Sequence, residues 1–323
     1  MNINRRQAVA LGLGSLAAGV GAPAWSQAPQ FPTGVIKFVI PTPAGGGHDT
    51  MMRLIGQKLT ESLGQAVIVE SKPGASGSIA AASVAQAAPD GHTLLLGYSA
   101  FLSNQVLMPK PGYRTEDFVP VSMLALTPIA MGVRESLPAK TLKEFIALAK
   151  SQPGKLSYGS YGQGSGGHFV GELFNTAADL NILHVPYKGE APALQALLGE
   201  QIDAAFTSVG GVHRYPGRIR PIAVGTAERS PSYPNVPTFA ELGLPAVDMP
   251  GWGALFAPAK TPKAVVDKLT AEMNRIVLLP EVKSKLAELG FDSVGWEPAR
   301  VKSFMDEQLA ATKKIVDSGR VKL

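Results

Sequence analysis

Short apolar runs alternate along this chain with amphipathic stretches, and that alternation limits the fold more than any single motif does. Val35–Ile40, Ala66–Glu70, Thr93–Gly97, Val119–Leu126, Leu156–Ser160, Ile182–Val185, Ala204–Thr207 and Pro221–Gly225 read as strands bounded by Gly and Pro. Between them Ile55, Leu59 and Leu63 recur at i,i+4, as do Leu173 with Ala177 and Leu194 with Leu198. Thr141–Ser151, Pro262–Leu279 and Ala299–Val316 carry helical spacing too. Strands alternating with helices predict α/β units with largely parallel sheets. At 323 residues, 45% of them hydrophobic, the chain has room for two such units, each with its own core.

The first residues point to a compartment. Met1–Ala28 holds Arg5 and Arg6, then apolar Ala8–Gly21, then Ser26-Gln27-Ala28, which are the basic, apolar and small-residue regions of an export signal. The apolar part is shorter than the ~20 residues that span a bilayer, and Gly12, Gly14, Gly19 and Gly21 dilute it. Cleavage is expected after Ala28, with Ala24 as the alternative, and Arg5-Arg6 leaves the Sec and twin-arginine routes both open. The expected product is a periplasmic monomer. Without Arg5 and Arg6 the chain has 28 basic against 25 acidic residues and no Lys/Arg block, so no nucleic-acid partner is expected. Cysteine is absent, which excludes disulfides, thiolate metal sites, a cysteine nucleophile and a lipid-bearing N-terminal Cys.

Glycine-rich loops recur where a strand hands over to a helix. Pro41–Asp49 follows the first strand, Lys72–Ser78 the second, and Gly159–His168 the strand after Leu156. In open α/β sheets this carboxyl edge is where ligands sit. Glycine lets the backbone approach a ligand closely, and N–H groups at a helix N-terminus attract anions. Each loop taken alone is also explained as a turn needing positive φ. Gly162, Gly164 and Gly167 fit G-x-G-x-x-G, but the next strand runs into Pro186-Tyr187-Lys188 with no acidic residue for ribose hydroxyls. Phosphate-loop, G-x-S-x-G and H-E-x-x-H signatures are missing. His168 with Glu172, and His48 beside Asp49, offer metal-ligand types without a paired histidine at ligand spacing. Glu190 and Asp203 are candidate acids with no partner carboxylate placed by spacing, and Trp252 reads as packing. No cofactor, metal or catalysis is expected.

Pro41-x-Pro-Ala-Gly-Gly-Gly-x-Asp49, Ala88-Pro-Asp-Gly-x-Thr-Leu-Leu-Leu-Gly97, Gly164-Ser-Gly-Gly-His168, His184-Val-Pro-Tyr-Lys-Gly189, Ala191-Pro-Ala-Leu194, Val236-Pro-Thr238 and Leu255-Phe-Ala-Pro258 together resemble the Bug family, periplasmic solute-binding receptors of tripartite tricarboxylate transporters. The resemblance covers the whole chain after the signal. It implies an α/β, type II two-lobe binding protein that closes on a small organic acid and delivers it to membrane permease subunits. Lobe one would be residues 29–127 plus 252–323, and lobe two residues 128–251. The hinge would lie in Met123–Met131 and Val247–Phe256. The implied ligand contacts are Pro43, Ala44, Gly45, Gly46, Gly47, His48 and Asp49; Tyr98 and Ser99; Tyr161, Gly164, Ser165, Gly166 and His168; and Asp203 and Phe206. In the family, backbone N–H groups of the first and third loops hold the carboxylate, often with ordered water. His48 and Tyr98 stand where relatives usually carry smaller residues, and Gly210–Arg220 departs from the family's charged helix. Two rival readings are a periplasmic sensor with the same pocket and a metal-assisted enzyme. On the receptor reading, Gly46→Val and Gly166→Val should each abolish binding with the fold retained. Affinity should strengthen from pH 8 towards pH 6 as His48 takes a proton.

Overall fold

The computed structural model describes residues 31–319, so the expected export signal lies outside the described residues. Two sheets organise the chain. The first contains β1 (Ile36–Ile40), β2 (Val67–Ser71), β3 (Thr93–Gly97), β4 (Phe118–Thr127), β10 (Gly251–Pro258) and β11 (Asp292–Trp296), in the order β11-β4-β10-β3-β1-β2. The second contains β5 (Ile129–Arg134), β6 (Ser157–Ser160), β7 (Leu183–Pro186), β8 (Ala204–Ser208) and β9 (Ile219–Val224), in the order β7-β6-β8-β5-β9.

Both faces of each sheet are covered, which explains why the strands read as continuous apolar runs. Side chains alternate between faces along a strand. Ile36, Phe38 and Ile40 accordingly pack with Met51, Ile55 and Leu59 of α1 (Gly47–Leu63) and with Leu269, Met273 and Ile276 of α8 (Lys263–Val277). Val39 and Leu95 turn to the other face. There they meet Ala80 and Ala81 of α2 (Ser78–Ala85), Phe101 of α3 (Ser99–Leu107) and Val301 of α10 (Pro298–Asp317). Trp252 joins this second cluster with Phe256 and Phe304, so it packs as the sequence suggests. The second sheet divides the same way, with Met131, Val133 and Phe206 on one face and Ala130 and Ala205 on the other. Each large side chain so buried contributes about 1.5–3 kcal/mol.

The sheets are mixed, not largely parallel. β10 runs antiparallel to both neighbours, β3 and β4, and β5 runs antiparallel to β8 and β9. The reason is connectivity. The chain leaves the first sheet at Thr127, enters β5 at Ile129 with only Pro128 between, and returns along β10 from Gly251. Strands β5, β10 and β11 lie outside the strands expected from the sequence, because β5 and β10 overlap the implied hinge segments and Asp292–Trp296 carries no bounded apolar run. The same geometry turns the carboxyl ends of β1, β3, β6 and β8 towards each other.

The facing edges touch. Ser103 of α3 donates its hydroxyl to the Gly164 carbonyl at 2.9 Å. Ser230 and Ser232 both donate to the Asp292 carboxylate, at 2.9 and 2.7 Å. Gly210 lies against Gly290 so closely that a Cβ on Gly210 would stand 2.6 Å from the Gly290 Cα. Among the described residues no helix is long and apolar enough to cross a membrane. Gly210→Ala should therefore wedge the two halves apart. The expected outcome is a larger radius of gyration by small-angle scattering and a midpoint of thermal unfolding changed by a few degrees at most. An unchanged radius would mean that the Gly210–Gly290 contact yields locally.

Candidate ligand-binding cleft

The first wall is built by the loop from β1 to α1. Gly46 caps the helix in extended geometry (φ −82°, ψ 175°), and Gly45 turns the chain at φ +81°. The first N–H groups of any helix lack intrahelical partners, and the turn before them is held from within the helix. The Asp49 carboxylate bends back to accept the Gly45 N–H at 2.9 Å and pairs with Arg53, which holds its pKa below the usual carboxylate range. Asp49 is buried and serves the loop itself. Gly46 and Gly47 are exposed, and a Cβ at Gly47 would press on the Phe291 ring at 3.2 Å. His48 sits between Tyr98 and Phe291, with ring centroids 5.7 Å from each. Burial lowers its pKa to about 4.

Tyr98 and Ser99 open α3 on the same half. Gly77 of the second loop approaches the Tyr98 ring, and Asn104 clamps that loop through the Ser76 carbonyl and the Ser78 hydroxyl. The second loop thus positions Tyr98. Ser99 reaches across the cleft: its hydroxyl is 3.3 Å from where a Cβ of Gly166 would stand.

The opposing wall is the loop from β6 to α5 (Gly166–Ala177). Ser165 caps this helix by accepting the His168 N–H, and its hydroxyl donates to the Gly162 carbonyl at 2.6 Å. The Gly164 N–H donates to His168 Nδ1 at 3.1 Å, so that nitrogen is unprotonated. His168 stacks on His184 at 3.9 Å between centroids, with the planes 10° apart, and Tyr158 also stacks on His184. Ser160 Oγ meets His184 Nε2 at 2.7 Å. Burial lowers His168 to about 4. Burial together with the neighbouring His168 lowers His184 to about 3. The Tyr161 hydroxyl accepts the Gly167 N–H, and a Cβ on Gly166 would stand 2.7 Å from it.

Pro43, Ala44, Gly45, Gly46, Gly47, His48, Tyr98, Ser99, Tyr161, Gly164, Ser165 and Gly166 therefore lie on the two facing edges. Four implied residues take other positions. Asp49 is turned into its own loop. His168 lies behind the glycine loop and props it. Phe206 is buried among Tyr158, Phe174 and Phe239, because even positions of β8 face the core. Asp203 precedes β8 at the opposite end of the sheet, where it pairs with Arg134 and accepts the Ser157 N–H at 2.9 Å. His168 and Glu172 do not share a metal either: the former binds Gly164 and the latter accepts the Tyr158 hydroxyl at 2.7 Å. Glu190 belongs on the cleft edge and was absent from the implied contacts. Its carboxylate accepts the Ser208 N–H at 2.8 Å.

Two α/β halves joined by crossing strands, with helix N-termini facing over the intervening cleft, define a two-lobe binding protein. Residues 51–320 match the family described as "Tripartite tricarboxylate transporter family receptor". Protein BugT of Bordetella pertussis is 33% identical over 328 residues, covering 100% of both chains. R. palustris Rpa4515 with adipate superposes at a TM-score of 0.84 with 32% identity, over 90% of this chain and 99% of that one. MatC (Rpa3494) from Rhodopseudomonas palustris with bound malate does so at 0.79 with 33% identity, over 88% and 100%. The chain belongs to the tripartite tricarboxylate transporter receptor family.

The histidine stack makes stability depend on pH. Unfolded histidines titrate near pH 6.5. Between that pH and about 4, the unfolded chain binds protons at His168 and His184 while the folded chain does not. The stability tied to neutral rings is complete above pH 6.5 and is lost as pH falls through this window. Urea titrations at pH 7, 6, 5 and 4.5 should show it. His168→Gln should be less stable than wild type at pH 7 by about 1–2 kcal/mol and lose stability less steeply below pH 6.5. Parallel pH slopes would remove His168 from this role.

Proposed function

We propose that the protein is a non-catalytic periplasmic receptor that captures a small organic acid between its lobes and hands it to membrane permease subunits. The lobes are residues 29–127 with 252–323 and residues 128–251, moving about the Thr127–Ile129 and Pro250–Gly251 crossings. The observation that carries this reading is the pair of glycine-opened helices, α1 and α5, that begin on opposite halves and face one cleft. Each N-terminus presents roughly half a positive charge to an anion. A carboxylate touching both lobes makes contacts only in the closed state, and so shifts the population towards it. Relatives of the same family hold adipate and malate. Family members are periplasmic binding proteins. A thermal-shift screen of organic acids tests the reading, since ligand at 100 Kd adds about 2.7 kcal/mol. Mass spectrometry of the recovered ligand should return it unchanged. Conversion of the acid, or no shift with any of them, would overturn the proposal.

Gly46→Val isolates the ligand contact. Gly46 has an ordinary φ, and a Cβ there meets nothing nearer than the Pro43 carbonyl oxygen at 3.5 Å. The variant should fold normally and lose at least about a hundredfold in affinity (~2.7 kcal/mol). Gly166→Val is a poorer probe than the sequence suggests, because its Cβ would stand 2.6 Å from Ile129 Cδ1 and 2.7 Å from the Tyr161 hydroxyl.

His48 moves the expected pH window. With its pKa near 4, the ring is neutral from pH 8 to pH 6. A bound carboxylate favours the protonated ring, so proton uptake and tighter binding occur together, but only as pH falls below about 6. Calorimetry should give a flat affinity from pH 8 to pH 6 and a rise below it, until the ligand itself protonates. His48→Ser should stay flat throughout. A rise between pH 8 and pH 6 in both proteins would place the titrating group elsewhere.

A further inference from the structure

Resting on the receptor reading, we propose that Glu190 sets the specificity of the cleft. Its carboxylate makes the lobe-two wall anionic, so the preferred ligand carries one carboxylate and, at its other end, a hydrogen-bond donor, above all an ammonium group. Dicarboxylates are disfavoured.

Position is the first ground. Glu190 opens α6 (Glu190–Leu198) directly after the loop that leaves β7, Tyr161 follows β6, and Ser208 ends β8. Strands β7, β6 and β8 are neighbours in the sheet, and β6 runs parallel to both of the others, so their carboxyl ends share one edge. That edge also carries the N-terminus of α5. Tyr161 links the two: it lies against Gly166 and Gly167, and besides burial the Glu190 charge raises its phenol pKa.

Chemistry is the second. Glu190 Oε2 accepts the Ser208 N–H, and Oε1 lies over the Gly211 backbone, 2.6 Å from where a Cβ would stand. A carboxylate has about four acceptor sites, and the Ser208 N–H and hydroxyl leave part of them for a ligand donor. No Lys, Arg or His among the described residues forms an ion pair with it, and the exposed Arg214 acts only through space. Asp49 on the other wall differs, because Arg53 neutralises it at contact. Burial pushes the Glu190 pKa up, as it does for a carboxyl short of positive partners. A second ligand carboxylate would set like charges together in a poorly solvated space, whereas an ammonium group would relieve the one already there.

Calorimetry on the full-length mature protein tests this with ligands matched in length: succinate, butyrate and γ-aminobutyrate, then adipate, hexanoate and ε-aminocaproate. Wild type should bind the amino member of the better-fitting set at least about tenfold more tightly than the dicarboxylate. Glu190→Gln keeps an acceptor for the Ser208 N–H and removes the charge. It should raise dicarboxylate affinity about tenfold and lower that of the amino acid. Glu190→Ser should likewise raise dicarboxylate affinity and lower that of the amino acid, and replaces it should Glu190→Gln not fold. A preference for dicarboxylates in wild type, or a ratio unchanged in both variants, would overturn the assignment of Glu190 alone. Binding of no acid by any of the proteins would overturn the receptor reading and this assignment with it.

Discussion

The insertion of β10 between β3 and β4 is the constraint on which the rest of the structure depends. Every residue of Gly251–Pro258 is buried, and the strand contributes Trp252 and Phe256 to one core and Leu255 to the other. It ties the returning chain to the sheet that the chain left at Thr127. Gly251 lies so close to Thr127 that a Cβ would stand 3.0 Å from its carbonyl oxygen. Two crossings thus lie side by side between the halves. The edges of the two sheets therefore meet in one register, and residues far apart in sequence, such as Ser103 and Gly164, find each other.

Each glycine loop resolves the same conflict between building itself and binding something else. A helix N-terminus has more donors than its own chain satisfies. In the first loop Asp49 takes the Gly45 N–H, and in the third His168 Nδ1 takes that of Gly164. These internal bonds hold the turns in shape; the Gly167 and His168 N–H groups of the third loop are taken up by Tyr161 and Ser165, so the exposed backbone of Gly46 and Gly47 is the freer of the two helix starts. Rigid donors of this kind lose little entropy when a carboxylate arrives, in contrast to a long cationic side chain. The third loop needs its props neutral. A protonated His168 could not accept from Gly164, and two charged rings stacked at 3.9 Å would repel.

The sheets were legible in the sequence wherever apolar runs were bounded by Gly or Pro, and Thr93–Gly97 coincides with its strand at both ends. The crossing strands were not legible as strands. Met123–Met131 is implied by the resemblance to be a hinge segment, yet Ile129–Arg134 is a strand that pairs with both β8 and β9. Asp292–Trp296 carries Gly295 and a half-buried pattern, and gains strand geometry only by pairing with β4. Of the site, the glycine loops were legible because positive φ and close backbone approach leave a compositional trace. What a histidine at such a loop does is not legible. His48 and His168 both sit at glycine-loop helix starts, yet one faces Tyr98 in the cleft and the other stacks on His184 behind it.

The acidic residues show the same limit most clearly. Asp203 and Glu190 look alike in the sequence, each a lone carboxylate beside an apolar segment on the second half. Only the direction of β8 separates them. Asp203 lies just before its first residue, and Glu190 bonds the N–H of its last, Ser208. Five residues of strand put about 16 Å between those ends. At one end Arg134 has two bonds to Asp203, so that carboxylate is neutralised and structural. At the other end the chain offers backbone N–H and a hydroxyl but no cation in contact. A carboxylate buried beside donors that suit an anionic ligand is costly unless something positive arrives to face it.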